Sequence, residues 1–456
     1  MRSVSITNFR IFPALIFVFF LLSAQAQQNS PFSRYGLGEF YSSHHIISRS
    51  MGGLGAAYAD GSNNNVGQSI NFANPATYSA FYMVSFDIGL TIDSRTLRNN
   101  IPTGKFTSNN FIPSYLGLGV PLNKSKGLGL AFGLRPLSSI NYSVENRSRV
   151  AGDSLLTVFE GSGGLNQAFV GIGKKWKTLS IGFNTGYNFG RKETDTKLGF
   201  VNDTVSYYQS KSSTLTNVGG VFLSGGLQYE VSLHKKVTPE TKTSENYLLR
   251  FGLTGTLQQK LKATQNIGRQ TFSYSAIGDI KIDSISEQNN IKGTVLLPST
   301  YAAGVTLHKT VNNTRGTFEM WSLGVEYTST QWINYRFYDQ PDKLSNSWQL
   351  KLGIQFSPDP FASRNYLSNL NYRAGVYIGK DYMNADGNGL KQYGVSMGAG
   401  LPIRKWSNYD NQFTVINIGL QLGKRGSGVN NITESYVQFS LGLSLSDLWF
   451  VKRKYD

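Results

Sequence analysis

The sequence predicts an all-β fold, a transmembrane antiparallel β-barrel of about fourteen strands with an N-terminal plug in its lumen. Three observations predict it. Short segments in which apolar residues alternate with small or polar ones recur along most of the chain. An irregular Gly/Asn-rich stretch, Met51 to Ala80, stands just ahead of the first of them. The N-terminus carries an export signature.

Composition sets the outer limits. The chain has 456 residues, 49 of them Gly, with 13% aromatic and 16% charged residues and a mean hydropathy of -0.24. Those values suit a barrel whose polar interior offsets an apolar exterior. No apolar run beyond the N-terminus reaches the roughly 18 residues that a spanning helix needs. The absence of cysteine rules out a disulfide framework and a thiolate metal site.

Arg2 and Arg10 precede the apolar run Ile11 to Leu22, and Ser23-Ala24-Gln25-Ala26 ends in the small-x-small pattern of a signal-peptidase site. Residues 1–26 are therefore expected to be a cleaved signal peptide, and the chain an outer-membrane protein of a Gram-negative cell. Export makes nucleic acid an unsuitable partner for the basic charge, which falls from +17 to about +15 without the two arginines.

Residues 27–80 are expected to form a periplasmic N-terminal segment and the plug. His44 and His45 are adjacent and point in different directions, so neither a metal site nor any cofactor is expected of them. Met51 to Ala80 has one charge, Asp60, and no sustained period. Backbone of that kind needs sheltered hydrogen-bond partners, which a barrel lumen supplies. Gly52, Gly53, Gly55, Asp60, Asn74, Pro75 and Ala76 are the candidate plug or gate residues.

Residues 81–456 are read as the barrel. Val84, Phe86, Ile88, Leu90 and Ile92 share one face of the first strand, with Ser85, Asp87, Gly89, Thr91 and Asp93 opposite. Leu116 to Val120, Leu128 to Leu134 and Leu179 to Phe189 repeat the pattern. Later strands centre on Val170, Leu223, Leu253, Val305, Leu323, Leu352, Val376, Val395, Ile418 and Leu441. In the last strand Val437, Phe439, Leu441, Leu443 and Leu445 form one apolar face, so it must close against the first or remain an exposed edge.

Connector lengths predict outside loops at Arg135 to Gly163, Gly190 to Thr216 and Gln258 to Lys292. Inner turns are expected at Leu122 to Lys126, Lys174 to Thr178 and Arg404 to Asp410. Trp176, Trp406 and Trp449 at the inner rim, with Trp332 and Trp348 at the outer, read as aromatic girdles in contact with outer-membrane lipid. Asp87, Arg250, Glu326, Lys351 and Arg373 fall opposite apolar residues and are expected to face the lumen. With four histidines and no nucleophile motif near them, no catalytic residue is expected.

Gly55-Ala56-Ala57-Tyr58-Ala59-Asp60 followed by Asn74-Pro75-Ala76 just before the first strand resembles the hatch of the FadL/TodX outer-membrane transporters. The resemblance implies a fourteen-stranded barrel, a lumen plug and passive uptake of hydrophobic small molecules such as long-chain fatty acids. It also admits the role of PorV-like members, which are barrel subunits that bind a protein partner in an outer-membrane secretion or assembly complex.

Overall fold

The structure is a computed structural model. It describes residues 30–447 apart from 42–43, 60–67, 101–102, 151–152, 202–206, 276–277, 362–364, 385–386, 388, 404–412 and 427–431. The expected signal peptide, Asp60, Trp406, Trp449 and the Arg404 to Asp410 turn lie outside the described residues.

Sixteen long strands follow the N-terminal segment: β1 Val84–Asn100, β2 Thr103–Asn123, β3 Leu128–Val150, β4 Asp153–Trp176, β5 Leu179–Phe200, β6 Gln209–Thr238, β7 Thr243–Thr256, β8 Gln259–Ser275, β9 Gly278–Leu297, β10 Thr300–Asn313, β11 Gly316–Thr330, β12 Ser347–Phe356, β13 Asn371–Lys380, β14 Lys391–Ile403, β15 Phe413–Arg425 and β16 Ile432–Asp447. The barrel itself has 14, because β7 pairs directly with β10. The β8–β9 hairpin stands outside that circuit, with β8 beside the outer half of β6 from Gln209↔Phe272 to Gly219↔Lys262. Closure is by β16 on β1, in register from Ile432↔Asn99 to Asp447↔Val84.

The pleat sorts side chains between two solvents. Phe86, Ile88, Val170, Ile172, Ile181 and Phe183 project from the wall, whereas Ser85, Asp87, Thr91 and Asp93 are buried on its inner side. A closed ring also pairs each wall strand with a neighbour on both sides over at least part of its length, and bilayer hydrocarbon offers no other partner.

Among the described residues, the sequences read as outside loops are mostly strand. β3 and β4 stay paired to Val150↔Asp153, β5 and β6 to Leu198↔Ser210, and β8 and β9 to Ser275↔Gly278. Ser, Thr and Asn on both faces hide these extensions from a hydrophobicity pattern, since above the bilayer neither face must be apolar. Backbone pairing with the adjacent extension is what holds them.

Trp332 also departs from expectation. It is buried, stacked on Tyr382 at 4.3 Å and edge-on to Phe40 at 4.9 Å, so it belongs to a packed cap rather than a lipid girdle. Trp176 and Trp348 are exposed.

The lack of native cysteine makes the orientation directly testable. In intact cells a membrane-impermeant maleimide should label Ser284→Cys, on the hairpin extension, and leave Ser125→Cys, in the β2–β3 turn, unmodified. Labelling of Ser125→Cys alone would invert the barrel.

Candidate functional site

The N-terminal segment runs inside the ring of strands from its extended end toward the short turns. At the extended end the Ser30 amide donates to the Asn141 carbonyl, and the short strand Glu39–Phe40 pairs antiparallel with Ser138–Ser139 of β3. Phe32 and Leu37 join Trp332, Tyr335, Leu344, Tyr382 and Met383 in an apolar cluster beneath the outer loops. Ser30 to Tyr41 thus sits at the end opposite the short turns.

Glu39 brings a carboxylate into this otherwise apolar cap. It accepts ion-paired hydrogen bonds from Arg95 of β1 and Arg425 of β15. Arg95 Nε also meets Asp93 at 2.6 Å, Arg425 Nε meets Asp381 at 3.1 Å, and Glu434 of β16 lies 3.4 Å from Arg95. All these groups are buried, and buried charges persist only when paired.

One turn further in, His45 caps the helix Ile46–Arg49 by accepting from the Ile47 amide at 3.2 Å. Its ring stacks on Tyr115 at 4.7 Å, and Nε2 lies 3.6 Å from Asp87. Gly52 and Gly53 follow with φ of 70° and 90°, a backbone that disfavours any side chain. At Gly52 an added Cβ would also lie 2.8 Å from the Val376 carbonyl, so the chain rests directly on the wall there.

Lys351 and Glu326 then clamp this turn. Lys351 Nζ donates to Glu326 at 3.0 Å, to the Gly53 carbonyl at 3.1 Å and to Thr328 at 3.1 Å, with His44 Nε2 at 3.2 Å. Glu326 Oε2 accepts the amides of Gly55 at 2.6 Å and Ala56 at 2.7 Å. Arg250 reaches the Ala59 carbonyl at 3.4 Å while holding Glu230, and Asp87 accepts the Ile70 amide at 2.6 Å. Four of the five inward charges therefore meet the segment. Arg373 ties the wall to itself, donating to Gln355 at 2.7 Å and Asn417 at 3.1 Å.

Asn74 links the two halves of the segment. Its amide donates to the Ala56 carbonyl at 2.6 Å while its Oδ1 accepts the Ala76 amide at 3.0 Å, capping the 3-10 turn Pro75–Ala80. Pro75 favours the extended conformation of Asn74, φ -133°, that makes both contacts. Facing wall glycines at 182, 226 and 252 let Pro75, Asn74 and Ala56 approach too closely for any β-carbon. Sequence reading missed Glu39, Arg95, Arg425 and Glu434; the Asp93/Arg95 pair, two residues apart on the inner face of β1, was the available signal.

Two spaces remain. An inner cavity of about 370 Å³ is bordered by the charged or titratable side chains of Glu39, Arg49, Arg95, Arg135, Lys351 and Arg425, and by apolar ones such as Phe40, Leu137, Leu297 and Trp332. A side cavity of about 1160 Å³ opens where β2 and β3 part. Those strands pair only from Leu116↔Leu134 down to Asn123↔Leu128. Pro113 and Pro136 line the opening and carry no amide proton, which suits unpaired strand edges. Tyr41 and Arg135 border both spaces.

No curated relative matches this sequence. Among solved structures the chain is similar in outline to the Pseudomonas putida toluene transporter TodX, at 15% identity and TM-score 0.48, covering 90% of this chain and 99% of that one. It is also similar to the Ralstonia pickettii toluene transporter TbuX, at 13% and 0.47, covering 88% and 98%. A Pseudomonas aeruginosa FadL homologue aligns at 12% and 0.48, covering 91% and 99%. The family model described as BamG matches residues 6–456, and the chain belongs to the BamG family.

Proposed function

We propose that this chain is a plugged, non-conducting subunit of a Gram-negative outer membrane, exported on a cleaved signal peptide, whose role is to bind a protein partner in a secretion or assembly complex. The observation that carries the reading is the Lys351–Glu326 clamp on Gly53, Gly55 and Ala56. A gate that opens in each transport cycle would have to separate buried charges repeatedly, and stripping one partner from such a pair costs several kcal/mol. The Glu39 network adds a second charged seal above it. In this reading residues 27–80 are the plug, with Gly52, Gly53, Gly55, Asn74, Pro75 and Ala76 shaping it. Asp87, Arg250, Glu326 and Lys351 hold it in place. No catalytic residue, metal or cofactor takes part.

The opening between β2 and β3 favours a second reading, passive entry of a hydrophobic small molecule such as a long-chain fatty acid through the wall. Ile88, Leu90, Phe111, Ile112 and Leu116 give that cavity an apolar border. The path inward then meets Arg135 and the charged inner cavity, an unfavourable environment for an alkyl chain.

Uptake of radiolabelled oleate by cells lacking their own fatty-acid channel separates the two. The sealed-subunit reading predicts the same rate with and without this protein in the outer membrane. A several-fold increase that Leu116→Trp abolishes would replace it by the transport reading.

A further inference from the structure

The short-turn end of the barrel holds a recess of about 970 Å³ whose floor is Ala59, Thr77, Ser79, Ala80 and Phe81. Lys124 and Lys126 of the β2–β3 turn and Lys174, Lys175 and Lys177 of the β4–β5 turn surround it. The two turns are fixed to each other. The Lys175 amide donates to the Gly127 carbonyl at 2.8 Å, and Lys174 Nζ donates to the Lys126 carbonyl at 2.7 Å.

We infer that this lysine-rimmed recess is a docking site for a short acidic segment of a periplasmic protein. Three lysines at the other end of the barrel carry acid partners. There Lys197 meets Glu160 and Asp279 at 2.8 Å, Lys211 meets Asp195 at 2.8 Å, and Lys281 meets Glu287 at 2.6 Å. Among the described residues none of the five recess lysines has a carboxylate within ion-pair distance. The one acid in the lining, Glu230, is already held by Arg250 at 2.8 Å. Five like charges around one hollow repel each other, and an anionic occupant removes that repulsion.

Geometry selects a peptide over a lipid headgroup. The walls include Ser180, Gln228 and Glu230, side chains on the inner face of their strands, so the recess opens along the barrel axis into water. The bilayer lies against the opposite face, where Ile181 and Tyr229 are exposed. The volume suits a few extended residues, not a folded domain. Exposed Trp176 and Tyr82 at the rim offer apolar contact beside the charges.

This inference rests on the partner-binding reading above, but its test is independent of conduction. Full-length protein in phosphatidylcholine nanodiscs is titrated with fluorescein-labelled octaglutamate and followed by anisotropy. Saturable binding is expected at low salt, weakening several-fold as ionic strength approaches physiological values. Glutamine at Lys124, Lys126, Lys175 and Lys177 together should weaken it about tenfold, the sum of several exposed charge contacts. The K126Q/K177Q pair should give a smaller loss and serves if the fourfold variant fails to assemble. K235Q/K236Q, at the same end but outside the recess, should leave affinity within about twofold. No binding to the native protein at low salt overturns the inference. So does equal weakening by K235Q/K236Q, or a fourfold variant that loses only its affinity for phosphatidylglycerol vesicles. Failure here with a barrel that stays electrically closed would leave the sealed-subunit reading standing and relocate the partner.

Discussion

Glu326→Ala should loosen the turn at Gly53 to Ala56 by about 3–5 kcal/mol, the usual cost of leaving a buried charge without its partner. Lys351 is 2% exposed and would keep only neutral acceptors, while the Gly55 and Ala56 amides would lose the acceptor they share. The wall strands make their own hydrogen bonds, so the loss should stay local. Hydrogen–deuterium exchange of a peptide covering residues 51–59 should accelerate by about two to four decades, with exchange in β5 and β6 unchanged. A Glu326→Met/Lys351→Met double variant should recover much of the protection, since an apolar pair leaves no orphaned charge. Unchanged exchange in Glu326→Ala would show that the clamp does not hold the segment.

Truncation of residues 437–456 should abolish assembly altogether. β16 supplies the second edge of β1 over the full width of the wall, and Val437 to Leu445 form one continuous apolar face. Without it, β1 and β15 would each present an unpaired edge to lipid, where every unsatisfied backbone group costs several kcal/mol. The truncated chain should lack the compact, heat-modifiable band on gels and should be degraded in the periplasm. Folded protein at normal abundance would contradict the closing role of β16.

The wall was legible because lipid imposes a two-residue period wherever a strand crosses it. Strand centres at Val170, Leu223, Leu253 and Val305 each lie in one of the 14 barrel strands. The extensions of β3 to β6 and the β8–β9 hairpin were not legible, because outside the bilayer polar residues serve on both faces. Trp332 was misassigned for a related reason. An indole near a strand end suits a lipid girdle equally well, and only the long-range contacts with Phe40 and Tyr382 place it in the cap. Asp87, Arg250, Glu326 and Lys351 could be assigned to the inner face from parity alone. Their partners on the segment could not, since Glu326 and Gly55 are 271 residues apart. Glycines of the wall also serve as seats. Gly182, Gly226 and Gly252 stand where Pro75, Asn74 and Ala56 press against the wall, a pairing that no local pattern encodes.

The sealed barrel is tested most directly by planar-bilayer recording of the intact protein beside a variant lacking Met51 to Ser69. The deletion removes the clamped turn but none of the wall strands, which begin at Val84. The intact protein should be electrically silent, and the deletion variant should insert and conduct ions steadily. A deletion variant as tightly closed as the intact protein would contradict this, since Met51 to Ala80 would then not be what fills the lumen.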